Sequence, residues 1–305
     1  MQESVRLQQV YATIVTENRN PQGGDLRSEH GLAILLQLTY SDGTHGNLLF
    51  DTGASGDVLA HNLGVMGFDP TDLDWVVLSH CHGDHTGGLD WLLRWDGADF
   101  IVVAHPEITR AVYKLKPSLQ FVGMREDVLD GVGSDRLIRT ASPLPLCRDV
   151  WVTGGIPRVT SFEKSRSHMI SLRGGEAKTD GEPDDMALVV DLGESGLVVF
   201  TGCSHAGSVN TVMAVNGIFE DRPIRGLVGG LHLYDAQESL LSETAMGLKS
   251  RIEGGVLSGH CTGERGARIL DETFGEHHLS FRTGDVWAFR GEDDGWVCPV
   301  SVAPR

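Results

Sequence analysis

Positive charge is scarce in this sequence. Its 305 residues carry 25 Lys and Arg against 42 Asp and Glu, a formal net charge of −17. Proteins that grip a nucleic-acid backbone need basic surface to displace counterions, so nucleic acid is not the expected partner. An anionic membrane surface is disfavoured for the same reason. Long apolar runs are missing too. The segments around Leu32–Leu38 and Leu197–Phe200 have strand lengths, far short of the roughly 18–20 residues that cross a bilayer. The start, Met1 to Gln9, is polar and lacks the basic-then-apolar build of a signal peptide. Cysteine is sparse: Cys81, Cys147, Cys203, Cys261 and Cys298 form an odd set spread along the chain. That is no disulfide framework, and a reducing cytoplasm is the expected compartment. The apolar fraction, 40%, is high enough to build a core and excludes wholesale disorder. Thirteen histidines are the count that asks for chemistry, because histidine is the commonest metal ligand and acid–base group.

The chain reads as β-rich, then β/α alternating, twice over. Val5–Thr16 and Leu32–Tyr40 are strand-like, and Ser41-Asp42-Gly43 turns the second into Asn47–Phe50. Asp57 is the expected cap of a helix running to Met66 and closed by Gly67. Leu73–Ser79 and Phe100–Ala104 read as buried strands, with a helix over Leu89–Arg94 between them. Pro106 is expected to open a helix to about Leu115. Residues 116–184 hold many Gly, Pro and charged residues and read as a variable insertion within one domain spanning 1–305. Ala187–Asp191 and Leu197–Thr201 read as a hairpin, followed by a strand at Arg225–Val228 and a helix at Gln237–Ile252. A strand at Gly254–Leu257 and a helix at Glu264–Phe274 come next, then edge strands at Val286–Phe289 and Gly295–Cys298. This order fits a layered α/β sandwich with mixed sheets.

The chemistry concentrates in Ser79-His80-Cys81-His82-Gly83-Asp84-His85-Thr86-Gly87-Gly88. Three histidines and an aspartate fall within six residues, directly after a buried strand. His80 and His82 lie two apart and point the same way in extended chain. Gly83 lets the chain turn, so Asp84 and His85 can face a second point nearby. Imidazole and carboxylate together suit zinc, with iron or manganese as further options. Other apolar strands end in histidine through a glycine, at His205, at His260 and at His232.

At this point the pattern His80-x-His82-x-Asp84-His85 resembles the signature of the metallo-β-lactamase superfamily. Leu48-Leu-Phe-Asp51-Thr-Gly53 and Leu78-Ser79 are similar to the strands that precede it there. Glu29-His30-Gly31, Thr153-Gly-Gly-Ile-Pro-Arg158, Thr201-Gly-Cys-Ser-His205, Gly229-Gly-Leu-His232 and His260-Cys-Thr-Gly263 resemble one branch, the dihydropteroate-synthase-like or dihydropterin–ribofuranosylaminobenzene-phosphate-synthase-like proteins. The likeness runs from about Tyr11 to Gly284. It implies a four-layer αββα sandwich of two mixed β-sheets with a two-metal site, most simply two zinc ions. By position, His80, His82 and His205 would hold one ion, and Asp84, His85 and His260 the other. Many members of the superfamily place a bridging aspartate where this chain has Cys203. Cys203 is therefore either a thiolate ligand or a buried spectator, and the reading favours His205 as the ligand.

Such a site would activate a shared water for attack on a carbonyl or phosphoryl centre. Asp84 would orient that water as well as bind metal. Asp51 would steady a ligand histidine from behind, unless it is only a turn residue. His232 could hydrogen-bond the substrate or act as an acid, and His30 could line the pocket wall. Arg158 could clamp a carboxylate or phosphate, or merely pair with Glu163. His168 reads as a surface or lid residue, and Trp91 with Trp95 as core. The expected function is metal-dependent hydrolysis of an ester, lactone or phosphodiester of a small molecule. A pterin-type transferase and a non-catalytic metal-binding effector module are the alternatives. Oligomeric state has no sequence signature here.

Overall fold

A computed structural model describes residues 5–165, 169–173, 176–220, 222–291 and 298–299. The chain opens with β1 (Leu7–Thr16), β2 (Ala33–Tyr40), β3 (His45–Phe50), α1 (Gly56–Met66) and β4 (Trp75–Val77). Two short helices, α2 (Gly83–Thr86) and α3 (Leu89–Leu93), precede β5 (Ile101–Ala104). The middle holds β6 (Val112–Lys114), β7 (Gln120–Phe121), α4 (Glu126–Asp130), β8 (Leu137–Arg139), β9 (Leu144–Cys147), β10 (Val150–Val152), β11 (Met169–Arg173) and β12 (Glu176–Thr179). Then come β13 (Ala187–Asp191), β14 (Leu197–Thr201), α5 (Ser208–Ile218), β15 (Ile224–Gly230), α6 (Glu238–Lys249) and β16 (Ile252–Gly259). The last elements are α7 (Gly263–Phe274), β17 (His278–Ser280), β18 (Val286–Arg290) and β19 (Cys298–Pro299).

Two mixed sheets carry the fold, in the orders β19-β18-β1-β2-β3-β4-β5-β8 and β17-β16-β15-β14-β13-β10-β9. The apolar runs of the sequence are continuous because both faces of these sheets are covered. In β2, Ile34, Leu36 and Leu38 enter the core between the sheets, while Ala33 and Leu35 face the outer helices. In β14, Val198 and Phe200 point inward, and Leu197 and Val199 pack under α5 and α6. The period of two thus distributes one strand between two cores. Helices α1 and α3 cover the first sheet through Leu59, Leu63, Leu89 and Leu92. Helices α5, α6 and α7 cover the second through Val209, Leu241 and Leu270. The result is the four-layer αββα sandwich. Among the described residues no helix is long and apolar enough to cross a membrane.

Several local expectations need correction. The cap of α1 is Ser55, not Asp57: Ser55 is extended and its Oγ accepts from the Val58 N–H at 3.3 Å. Glu29 holds that hydroxyl in place with a 2.7 Å hydrogen bond. Ser55→Ala should therefore cost about 1 kcal/mol in urea unfolding, and Asp57→Ala only a few tenths from the helix dipole. Pro106 opens a turn and not a helix. The Arg110 guanidinium is drawn inward onto Asp180 and Asp184, and Val112–Ser171 pairing then claims the next residues for β6. Region 116–184 is not a single insertion. Strand β8 joins the first sheet and β9 and β10 join the second, while β12-β11-β6-β7 form a small third sheet. Strand β18 lies between β1 and β19 and is not an edge. Of the expected Gly295–Cys298 strand, residues 295–297 lie outside the described ones, as does His168.

Candidate metal centre

The candidate residues meet where β3, β4, β14, β15 and β16 end. Parallel pairing aligns these exits, with Thr201 opposite Gly229 and Gly230 opposite Gly259. Asp51, Ser204, His232 and His260 follow these strands in the left-handed region, at φ 59°, 56°, 47° and 49°. Such backbone costs of order 1–3 kcal/mol each and persists where surrounding structure enforces it.

His80 and His82 turn to one side, with His80 Nε2 3.1 Å from His82 Nδ1. Cys81 between them points into the core under α1 and α3, and its N–H donates to Asp184 at 2.7 Å. The His205 ring stands edge-on to both, with centroids 4.6 Å from each. On the other side His85 Nε2 lies 3.1 Å from His260 Nε2, and Asp84 Oδ2 lies 3.5 Å from the latter. Cys203 joins the halves. Its Sγ falls within 4.8 Å of donor atoms of His80 and His205, and equally of His85 and His260. Cys81 packs in an apolar cluster, but Cys203 belongs to none of the three. Its surroundings are donor atoms.

The hydrogen bonds behind these rings fix which nitrogens face inward. Asp51 Oδ2 accepts from Ser79 Oγ at 2.7 Å and takes the His85 Nδ1–H at 2.6 Å. Asn18 Oδ1 accepts the His260 Nδ1–H at 2.8 Å, and Glu17 accepts the His260 backbone N–H. The Nε2 lone pairs of His85 and His260 are thereby aimed at each other, an arrangement that needs a proton or a cation between them. Without metal, a proton serves. Burial alone would lower the His85 pKa, but the Asp51 and Asp84 carboxylates outweigh it and lift it to about 9. Burial and the neighbouring His85 push His260 down to about 3. Burial would raise Asp84, yet the imidazoles around it hold its carboxyl well below the usual range. The buried His82 Nε2 has no hydrogen-bond partner. Convergent imidazole lone pairs, one carboxylate and one thiol fit divalent metal better than they fit one another.

The remaining candidates divide. His30 stands at the rim with Nε2 3.4 Å from Asp84, its side chain 74% exposed. His232 packs on His205, with centroids 4.3 Å apart. His232 and His205, but not His30, line a cleft of about 390 Å³ with Ser204, Lys164, Gln237 and Leu240, within the size range of small-molecule sites. Arg158 is committed elsewhere: its Nη2 meets Glu182 and donates to the His205 carbonyl at 2.8 Å. It steadies the His205 loop and does not present a free clamp. Neither does it pair with Glu163, which instead accepts the Val209 and Asn210 N–H groups at the start of α5. Glu17, Asn18, Ser79 and Glu182 escaped the sequence reading. The run Glu182-Pro-Asp-Asp185 before β13 was a usable signal for the last of these. Trp91 and Trp95 pack with their rings tilted at 59° and centroids 5.2 Å apart, but Trp95 is 40% exposed.

Residues 29–208 match the metallo-beta-lactamase superfamily, and the chain belongs to that superfamily. It is 28% identical over 270 residues to the 7,8-dihydropterin-6-methyl-4-(beta-D-ribofuranosyl)-aminobenzene-5'-phosphate synthase of Methanocaldococcus jannaschii, covering 86% of this chain and 90% of that protein. Among solved structures it is similar to Tm1679, a metal-dependent hydrolase of the beta-lactamase superfamily. That likeness has a TM-score of 0.77 at 25% identity, over 91% of this chain and 98% of the other. A diphosphatase from the PhnP family shares the fold at TM-score 0.50 and 14% identity, over 93% of this chain and 98% of the other.

Proposed function

We propose that this protein is a dinuclear metal-dependent hydrolase of small molecules, acting on an ester, lactone or phosphodiester, with zinc as the metal. The observation that carries this reading is the convergence of His80, His82 and His205 on one side and Asp84, His85 and His260 on the other, joined at Cys203. Bound there, two divalent ions would bring the pKa of a shared water toward neutrality and polarise the substrate oxygen. Asp84 orients the attacking water from the rim of the cluster. His232, facing the cleft beside His205, donates a hydrogen bond or proton to the departing oxygen. Iron or manganese would suit the same donors. The acidic surface and the size of the cleft favour a small molecule over a polyanion.

The experiment is to strip metal with a chelator, reload with zinc, and assay ester, lactone and phosphodiester panels. About two zinc ions per chain should return together with turnover, and His82→Ala should prevent both. Full activity after stripping would overturn the proposal. Identity to the M. jannaschii synthase across most of both chains favours a second reading, a pterin-type transferase. A pterin pyrophosphate donor separates the two. Pyrophosphate release only when an aromatic amine is present supports transfer, and release without it supports hydrolysis. A metal-loaded protein inert on every panel would leave the effector module.

A further inference from the structure

Asp51 is fully buried, and a carboxylate oxygen lies within 4.8 Å of donor atoms of both His80 and His85, so it reaches both halves of the centre. Its Oδ2 takes the His85 Nδ1–H at 2.6 Å and the Ser79 Oγ–H at 2.7 Å, and its Oδ1 takes the Ser79 backbone N–H at 2.7 Å. Ser79 Oγ in turn lies 2.8 Å from His80 Nδ1. Ser79 has one hydroxyl proton and two neighbours that could accept it. If it went to His80, an oxygen lone pair would face the Asp51 carboxylate at 2.7 Å, so the carboxylate takes it and His80 must donate from Nδ1. His80 Nε2 is then left as a lone pair beside His82 and Cys203, as His85 Nε2 is beside His260.

We infer that Asp51 and Ser79 are positioning residues that couple the two ion positions: one carboxylate sets the tautomer of His85 directly and that of His80 through the Ser79 hydroxyl. This rests on the dinuclear reading above. It makes the two positions unequal in their dependence on the relay. Loss of the Ser79 hydroxyl releases only His80, while loss of the Asp51 charge releases both. In Asp51→Asn, an amide N–H group can replace the oxygen that accepts from His85, which would turn the His85 proton to Nε2 and block that nitrogen.

The test is competitive metal titration of the full chain, with cobalt absorption reporting each position, alongside circular dichroism and thermal melting. Ser79→Ala should keep its fold and weaken one ion roughly 10–100-fold while leaving the other near wild type. Asp51→Asn should weaken both. Equal weakening of both ions in Ser79→Ala, or no change in either, would overturn the inference. Should the variants fail to fold, wild-type protein still decides the matter. In zinc-loaded protein, nitrogen-15 spectra of the histidine rings should show His80 and His85 protonated at Nδ1 and unprotonated at Nε2. A proton on His80 Nε2 would overturn the relay. Failure of the wild-type chain to bind any cobalt or zinc would instead overturn the dinuclear reading and this inference with it. Two bound ions with unchanged Ser79→Ala affinities would overturn the inference alone.

Discussion

Asp84→Ala should lower turnover by roughly 10²–10³-fold or more, and the purified variant should carry fewer than two metal equivalents. Asp84 contributes the carboxylate of the donor set. Its Oδ2 lies within 3.4 Å of His30 Nε2, 3.5 Å of His260 Nε2 and 3.8 Å of His85 Nε2. The surrounding imidazoles keep it ionised against the cost of its burial. On the proposed mechanism, alanine would remove both a ligand and the group that orients the attacking water. Asp84→Asn preserves the volume and removes the charge, so it separates packing from chemistry and should behave nearly as badly. Metal analysis and steady-state kinetics on the same preparation check the prediction. A variant with full metal content and full turnover would remove Asp84 from the mechanism.

The second large effect is expected from a glycine that makes no hydrogen bond to the cluster through any side chain. A Cβ on Gly202 would lie 2.0 Å from Ser79 Oγ and 2.8 Å from Asp51 Oδ2. Both atoms are fully buried and already engaged, so neither can move without breaking the Asp51 network. Gly202→Ala should cost roughly 3–5 kcal/mol in urea unfolding, the scale of leaving a buried carboxylate without its partners. It should also weaken metal binding at both positions, because His80 and His85 lose their shared support. Gly217 supplies the control: nothing lies within 4 Å of its Cβ direction. Gly217→Ala, inside α5, should be neutral or slightly stabilising. A Gly202→Ala variant as stable as wild type would mean that the packing around Asp51 is looser than these distances state.

The fold was legible wherever a strand is buried on both faces or a helix ends in glycine. Leu32–Tyr40, Leu197–Thr201 and Glu264–Phe274 announce themselves because their apolar periodicity is the direct record of which neighbours cover them. Pro106 misled because its local preference for a first helical turn was overridden by a distant event, the burial of Arg110 against Asp180 and Asp184. Residues 116–184 misled for a related reason. Short strands such as β8 and β10 take their stability from partners in the main sheets and carry little periodicity of their own.

The site divides in the same way. A dense motif such as His80 to His85 reveals itself in one dimension, because its chemistry and its spacing lie within a single turn of chain. From residue types and order alone came the superfamily, the candidate donors as a short set of histidines with Asp84, and the net charge of −17. The tertiary fold had to bring Cys203 to the junction of both histidine groups, assign Arg158 to Glu182 and the His205 loop, and bind Asn18 to His260 across 242 positions. Spacing in sequence says nothing about such pairs, because they depend on where separate strands end against one another. Only that convergence aims imidazole lone pairs inward, and with them the capacity to hold metal.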